Sequence, residues 1–205
     1  MFTGSVNRTP GPWSAYVAAA LRSPQGVGTV TPSSRALAVR LAAVVRRSAG
    51  PQVVVEVGAG AGEVTEAIAE RAGRGATVIA IERDPELAGR LRARDLGVDV
   101  ITADALTLPA ILADRGLSEV DALVSVLPFT LLPHGQQRRF LDVFAAALRP
   151  DGVFTAAAYS SGYWTPTARR FRGELHRAFD EVVPTRTTWR NLPPAMTYLC
   201  RQPVR

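Results

Sequence analysis

The stretch that decides the fold is Val53-Val54-Val55-Glu56-Val57-Gly58-Ala59-Gly60-Ala61-Gly62. Its first half is a short, nearly all-apolar run, which is typical of a strand buried on both faces of a parallel sheet. Its second half is glycine-rich and leads into a segment that we predict to be helical from Gly62 to Arg71. Glycines in such a turn let the backbone approach a ligand without a Cβ clash. The stretch therefore predicts a strand, a ligand-binding turn and a helix in succession.

The rest of the chain repeats this alternation, which favours an α/β fold with a mostly parallel sheet. The predicted strands are 52–57, 76–82, 98–102, 120–126, 152–158, 181–187 and 195–201. The predicted helices are 35–47, 62–71, 84–94, 136–148 and a segment that ends near Phe179, after a polar, aromatic stretch from Ser160 to Phe171. A further helix, from Trp13 to Leu21, presents an apolar stripe that either docks on the core or binds a surface. We expect a single domain over 1–205, with 1–48 as an N-terminal helical extension.

Composition and charge narrow the class of protein and its partners. The 205 residues are 47% hydrophobic and 20% charged, which is typical of a globular domain. The net charge is +6 and all 24 basic residues are arginine, which favours nucleic acid or an anionic lipid surface as a partner. A GC-rich source genome explains the absence of lysine by itself, whereas the net positive charge keeps its electrostatic meaning. The single Cys200 and two histidines predict neither a disulfide framework nor a metal site, and no secretory signal is present, so we expect a cytoplasmic protein.

Acidic residues recur where the first three predicted strands end. Glu56 lies near the end of the first strand, Glu82 ends the second and Asp104 follows the third. The carboxyl ends of parallel strands meet at one edge of an open α/β sheet, and ligands bind at that edge. A dinucleotide is disfavoured there because Glu63 replaces the third glycine of its fingerprint and would repel a pyrophosphate at the start of the helix.

The glycine turn and the three acids together resemble motif I and the following acidic positions of class I S-adenosylmethionine (SAM) methyltransferases. The resemblance implies a Rossmann-like, mostly parallel seven-stranded sheet with helices on both faces. It also implies SAM as the cofactor and S-adenosylhomocysteine (SAH) as the product, with Glu82 on the ribose hydroxyls and Asp104 near the adenine amino group. The cofactor-binding residues that it predicts are Glu56, Gly58, Gly60, Glu82, Arg83, Asp104, Ala105 and Ser125.

The end of the fourth strand, Ser125-Val126-Leu127-Pro128-Phe129, is similar to the Asn-Leu-Pro-Tyr motif of ribosomal RNA adenine dimethyltransferases. In that motif the asparagine amide contacts the target amine and the aromatic ring stacks on the base. Val126 stands at the asparagine position here, and a valine side chain cannot hydrogen-bond an amine. We therefore expect no nucleic-acid partner, although Phe129 remains a candidate for stacking.

Three further motifs extend over nearly the whole chain. They are 27–34 before the second helix, Ser125–Pro128 followed by Leu132-Pro133, and 190–195 near the C-terminus. Together they look like bacterial phospholipid N-methyltransferases. The resemblance implies methylation of phosphatidylethanolamine at an anionic membrane surface, by a protein that is peripheral on the inner face of the cell membrane. Two alternatives stay open: a methyltransferase of a soluble or natural-product amine, and an arginine-rich RNA-binding module with a vestigial SAM site.

Several side chains are candidates for handling the acceptor amine, which must be neutral before it can attack a methyl group. The catalytic candidates are Tyr159 at the end of the fifth strand, His134 in the loop after the fourth, and Ser125. Tyr163 and Trp164 could line a pocket for a methylated ammonium or could cover the sheet edge. The predicted substrate-binding residues, with Arg190 as the candidate lipid-phosphate contact, are Ser33, Ser34, Leu127, Pro128, Tyr163, Arg190 and Asn191.

Overall fold

The structure of the protein is a computed structural model that describes residues 33–47 and 50–204. The strands are β1 Gln52–Val57, β2 Ala76–Glu82, β3 Asp99–Thr102, β4 Val120–Ser125, β5 Leu148–Tyr159, β6 Phe179–Pro184 and β7 Ala195–Pro203. They form a seven-stranded sheet in the order β3-β2-β1-β4-β5-β7-β6. Strands β1 to β5 pair in parallel, and β7 runs antiparallel between β5 and β6. The predicted mostly parallel seven-stranded sheet is confirmed.

Helices cover both faces of this sheet, as predicted. They are α1 Arg35–Leu41, α2 Glu63–Ala72, α3 Pro85–Arg92, α4 Leu108–Ala113, α5 His134–Ala147 and α6 Pro166–Ala178. On one face, Leu37 of α1 and Ile68 of α2 lie in one buried cluster with Val54 of β1. On the opposite face, to which alternate strand residues point, the Phe144 ring of α5 lies 6.0 Å from the Phe154 ring of β5. Within the described ranges, no helix is long and apolar enough to cross a bilayer.

Helix α1 and the turn after it belong to the predicted N-terminal extension. The predicted helix 35–47 is shorter than expected, because α1 passes into a 3-10 turn at Ala42–Val44 and Val45 is extended. Adjacent β-branched side chains lower helix propensity, which explains the early end at Val44 and Val45. The predicted helix from Trp13 to Leu21 lies outside the described residues, so it stays a prediction, as does the single-domain assignment.

Two predicted strands had wrong boundaries, and in both of them the strand begins earlier than the local sequence suggests. Strand β5 begins at Leu148, within the predicted helix 136–148, since Leu148 already pairs with Val120 of β4. Strand β6 begins at Phe179 rather than at residue 181 and ends at Pro184. The Phe179 ring stacks on Phe154 with the ring centroids 5.4 Å apart, so packing across strands sets this boundary.

Two helices also differ from the prediction. Helix α6 begins at Pro166, inside the polar, aromatic stretch to Phe171 after which we predicted the helix, because the Thr165 hydroxyl accepts a hydrogen bond from the Ala168 amide and caps the helix. Helix α4 was not predicted. Its six residues are too few to display a clear helical period.

Candidate functional site

The carboxyl ends of β1, β2 and β4 meet around the glycine turn, which we define as Gly58–Gly62. The first amide of the turn donates a hydrogen bond to the Ile81 carbonyl at the end of β2, at 2.9 Å. The Val126 amide, just after β4, donates to the Val57 carbonyl at 3.0 Å. These backbone bonds place the predicted cofactor-binding segments at one edge of the sheet, where parallel α/β folds bind ligands.

The three glycines of the turn have different reasons to be glycine. All three have positive φ angles, of 76°, 56° and 96° for Gly58, Gly60 and Gly62. A Cβ on Gly62 would lie 2.4 Å from Leu91 Cδ1, and one on Gly58 would lie 3.0 Å from Leu127 Cδ2. A Cβ on Gly60 would meet no described atom within 4 Å. The positive φ angles alone favour glycine at all three positions. A Cβ at the first or third position would also press on the end of a leucine side chain, whereas Gly60 borders open space that a ligand can fill.

Glu82 holds the turn from the end of β2. Its side chain is only 7% exposed, with Oε2 accepting from the Gly60 amide and Oε1 accepting from the Asp84 amide, each at 2.8 Å. A carboxylate oxygen has two lone pairs, so each oxygen retains capacity for one more donor such as a ribose hydroxyl. The predicted cofactor residue Arg83 follows directly and is partly exposed. The geometry presents Glu82 as a pre-oriented double acceptor.

Replacing Glu82 with alanine should therefore weaken SAM and SAH binding about tenfold or more, because hydrogen bonds to a charged group contribute roughly 1.5–3 kcal/mol. The apo protein should also lose stability, since the Gly60 and Asp84 amides lose their acceptor. Calorimetric titration measures the first effect and thermal unfolding the second. Asp99→Ala is a matched control, because Asp99 is a carboxylate at the opposite end of β3 that pairs with Arg115. Equal affinities for Glu82→Ala and wild type would remove Glu82 from the site.

Glu56 is a fully buried carboxyl beneath the turn. Its Oε2 accepts from the Thr65 hydroxyl of α2 at 2.5 Å, while its Oε1 has no hydrogen-bond partner among the described residues. Burial, with added repulsion from Glu82, raises the pKa of Glu56 to about 8, despite the Thr65 bond that favours the charged form. Thr65 was not among the predicted site residues. Its only signal was a hydroxyl at a buried helical position nine residues after Glu56.

Asp104 and Ala105 lie beside Glu82, where β3 ends. The Ala103 amide donates to the Glu82 carbonyl at 3.1 Å, which ties the two strand ends together. Asp104 is partly exposed, and its Oδ1 accepts from the Leu106 amide at 2.9 Å to cap the 3-10 turn Ala105–Thr107. Asp104 and Ala105 thus lie next to Glu82, the predicted acceptor for the ribose hydroxyls. This agrees with the prediction that the ends of the second and third strands meet at one edge of the sheet.

The end of β4 and the segment after it combine a buried hydroxyl with core packing. Ser125 is fully buried, and its Oγ accepts from the Leu127 amide at 3.3 Å, which shapes the chain before Pro128. Leu127 itself packs on the glycine turn. Phe129 is 1% exposed and stacks on Phe171 with the centroids 4.4 Å apart. The expectation that Phe129 could stack on a base is wrong, because α6 already covers the ring.

Two of the motifs that resemble phospholipid N-methyltransferases, 27–34 and 190–195, contact each other through Ser34 and Asn191. These two residues lie 157 positions apart in the chain. The Ser34 amide donates to Asn191 Oδ1 at 2.8 Å, and Asn191 Nδ2 donates to the Pro193 carbonyl at 2.7 Å. Asn191 is 2% exposed, and Ser34 caps α1 through the Leu37 amide. Ser33 precedes the cap and is partly exposed. Asn191 is therefore a positioning residue that fastens the start of α1 to the β6–β7 loop.

The two titratable catalytic candidates lie in different surroundings. Tyr159 is half-buried at the end of β5, and burial raises the pKa of its phenol, so the hydroxyl stays neutral at physiological pH. His134, the first residue of α5, has its Nε2 2.8 Å from Glu174 Oε1 on α6, and Glu174 also accepts from Arg177. The structure thus joins His134 to the packing of α5 against α6, whereas Tyr159 remains at the sheet edge.

The aromatic pair after β5 is already in contact with a cation. The Arg172 guanidinium lies 4.1 Å from the centroid of the Tyr163 ring and donates to the Tyr163 carbonyl at 2.7 Å. The Tyr163 and Trp164 rings pack edge to face at 5.0 Å, with Trp164 largely exposed. Arg190 is exposed in the β6–β7 loop. A pocket for a methylated ammonium at Tyr163 would thus have to share its ring with Arg172.

Comparisons with known proteins independently support a methyltransferase fold and family. A family model described as a methyltransferase domain matches residues 54–152. The chain is 37% identical over 153 residues to an ornithine lipid N-methyltransferase from Singulisphaera acidiphila, covering 73% of this chain and 76% of the relative. An O-methyltransferase from Bacillus cereus, solved in complex with SAH, superposes with a TM-score of 0.62 at 14% identity, over 96% of this chain and 93% of that one. A SAM-dependent O-methyltransferase from Thermotoga maritima gives 0.60 at 16% identity, over 89% and 69%. At these identities the solved structures support the fold alone.

Proposed function

This chain belongs to the SAM-dependent methyltransferases, and from that premise we propose that its acceptor is the primary amine of a membrane lipid. The observation that carries the proposal is the similarity, over about three quarters of both chains, to a relative named for nitrogen methylation of ornithine lipid. The predictions of a SAM-dependent enzyme and of SAM as its cofactor are confirmed by the family match and the fold. The lipid acceptor is the part that we propose.

The residues at the sheet edge fit SAM, a cation that carries an adenosine group. Glu56 offers an unpartnered, buried carboxyl oxygen that a cationic ligand would satisfy. Glu82 offers two oriented acceptors for hydroxyls, and Gly60 leaves open space beside them. Asp104 and Ala105 lie next along the edge. We propose that these five residues hold the cofactor, with Gly58, Arg83 and Ser125 shaping the surrounding walls.

Bound SAM supplies a methyl group that is already activated, so the protein contributes mainly by placing a neutral amine in line with it. Tyr159 is the proposed contact for that amine, because it lies at the end of β5 and its neutral hydroxyl can hydrogen-bond without adding charge. Ser125 supports the adjacent wall through its bond with the Leu127 amide. Since His134 is engaged by Glu174, we propose that water, rather than this imidazole, takes the ammonium proton.

Two headgroups fit the proposal, phosphatidylethanolamine from the sequence motifs and ornithine lipid from the name of the relative. Each carries a primary amine and an acidic group. Arg190, exposed in the β6–β7 loop, is the proposed partner of that acidic group, because a guanidinium pairs well with phosphate or carboxylate. Leu127 and Pro128 are the proposed apolar wall next to the glycine turn.

We expect the full-length protein, given methyl-labelled SAM, to place label on the lipid of vesicles that contain either aminolipid. Vesicles whose aminolipid is N-acetylated keep the same acyl chains without an available amine, so they should take up no label. Free ethanolamine and free ornithine test the soluble alternative, and Glu82→Ala serves as the cofactor-site control. Label found in the free amines but absent from every lipid would overturn the lipid proposal in favour of a soluble acceptor.

A further inference from the structure

Three exposed hydrophobic side chains stand out at the carboxyl edge of the sheet. Trp164 in the β5–α6 loop is 79% exposed, and Trp189 and Leu192 in the β6–β7 loop are 78% and 77% exposed. No other large hydrophobic side chain in the described ranges is more than 51% exposed. Single exposed apolar residues are ordinary, but several large ones on neighbouring loops mark an interaction surface. We call Trp164, Trp189 and Leu192 the aromatic patch.

The loops that carry the aromatic patch are fastened to each other. The Ser160 amide donates to the Pro194 carbonyl at 2.8 Å, and the Ser160 hydroxyl bonds the Thr187 hydroxyl at 3.3 Å. Thr188 pairs with Ala195, which closes the tip that carries Trp189 and Leu192. Trp164 follows Ser160 by four residues, a stretch that spans at most about 14 Å. The two loops that carry the three side chains are therefore held next to each other at the carboxyl edge of the sheet.

The charges around the aromatic patch indicate what it contacts. Arg186 and Arg190 are exposed in the same β6–β7 loop, and Arg40 of α1 donates to the Arg186 carbonyl. The whole chain carries a net charge of +6. Tryptophan prefers the headgroup level of a bilayer, and arginine beside it attracts anionic headgroups. This combination fits an anionic bilayer better than an apolar protein groove, which would leave the arginines unpaired.

We propose that the aromatic patch, with Arg186 and Arg190, is the surface that seats this protein on an anionic bilayer. The inference rests on the proposed lipid acceptor and makes it specific. Tyr159 pairs in register with Ala195, so the end of β5 lies directly beside the tip that enters the membrane surface. The acceptor headgroup thus reaches Tyr159 from the bilayer without leaving the interface.

The test is co-sedimentation of the full chain with vesicles of equimolar phosphatidylcholine and phosphatidylglycerol, without SAM. The triple variant Trp164→Gln, Trp189→Gln, Leu192→Gln should bind on the order of 100-fold more weakly, since it loses the apolar area that enters the interface. Arg186→Gln with Arg190→Gln should weaken binding roughly fivefold for each arginine at low salt, and the difference should vanish at high salt. Val39→Gln with Val204→Gln is the matched control, because both valines are exposed outside these loops.

Unchanged vesicle binding by the triple variant, or no binding by the wild-type chain, would overturn the inference. The inference would also be overturned if the wild type is a dimer and the triple variant is a monomer, because the aromatic patch would then be an interface between copies. Thermal unfolding and SAM titration should match between variant and wild type, which shows that both fold. Methylation of aminolipid dispersed in detergent separates the two proposals, since it needs the acceptor site but no bilayer. If the wild-type chain is inactive in detergent, that result counts against the acceptor proposal. Vesicle binding would still test whether the aromatic patch is the membrane-binding surface.

Discussion

A Gly60→Val protein is expected to fold and to bind neither SAM nor SAH, with a loss of affinity of at least about 100-fold. The Gly60 Cβ position faces space in which no described atom lies within 4 Å, so the apo chain can accept a side chain there. Bound cofactor would occupy that space. The φ angle of +56° adds strain on the order of 1–2 kcal/mol, which a stable domain tolerates. Calorimetric titration of a variant that shows a cooperative thermal transition measures the effect.

Gly116 offers a matched control for the backbone strain in Gly60→Val. It has a φ angle of +66°, an equally open Cβ position, and a place in the turn between α4 and β4 at the opposite edge of the sheet. Gly116→Val should lose similar stability and keep full cofactor affinity. If both valine variants bind SAM like the wild type, the glycine turn is not the cofactor cradle.

Glu56→Gln is expected to make the apo protein more stable at pH 9 and to weaken SAM binding. The buried carboxyl has a pKa of about 8, against 4.5 for the ordinary group, so the native state holds a proton that the unfolded chain releases between these values. Stability of the wild type therefore falls as pH rises from 4.5 to 8, by at most about 1.4 kcal/mol per pH unit from this group. Glutamine is neutral throughout, so it should match the wild type near pH 5 and exceed it by a few kcal/mol at pH 9.

Folding favours a neutral side chain at position 56, whereas cofactor binding should favour the ionised carboxylate. A cationic ligand favours the ionised carboxylate, so wild-type affinity should rise with pH up to about 8 and binding below that pH should release a proton. Calorimetry in two buffers of different ionisation enthalpy measures the proton directly, and glutamine should abolish its release. Glu86→Gln is the control, because Glu86 is an exposed carboxyl on α3. Proton release that persists in Glu56→Gln would assign the titration to another group.

The backbone of the candidate site was more predictable than its side-chain contacts. The run from Val53 to Gly62 carries strong local signals, since buried β-branched residues and glycines each restrict the backbone to few conformations. These signals fix β1 and the turn, and the alternation that follows fixes the sheet. Glu82 and Asp104 could be placed at one edge for the same reason, because parallel strands bring their carboxyl ends together.

Contacts between distant segments could not be predicted in this way. Nothing local to Phe129 indicates that Phe171 of α6 will cover its ring, and nothing local to His134 indicates Glu174 as its partner. Asn191 and Ser34 were each predicted to bind substrate, yet they bind each other. Such pairings depend on how helices and loops pack over the sheet, a tertiary effect that overrides local preference.

The position of β7 sets the order in which the molecule can be completed during synthesis. Strand β7 is the last of the seven described strands in sequence order, yet it lies between β5 and β6 and supplies all the pairing that β6 has in the sheet. Until residues 195–203 leave the ribosome, both β5 and the β6 segment expose unpaired edges, which favour association with other chains. The parallel half from β1 to β4 can form earlier, because its strands precede that point. Completion of the fold, and with it the Ser34–Asn191 fastening, therefore waits until residues 191–203 have been synthesised.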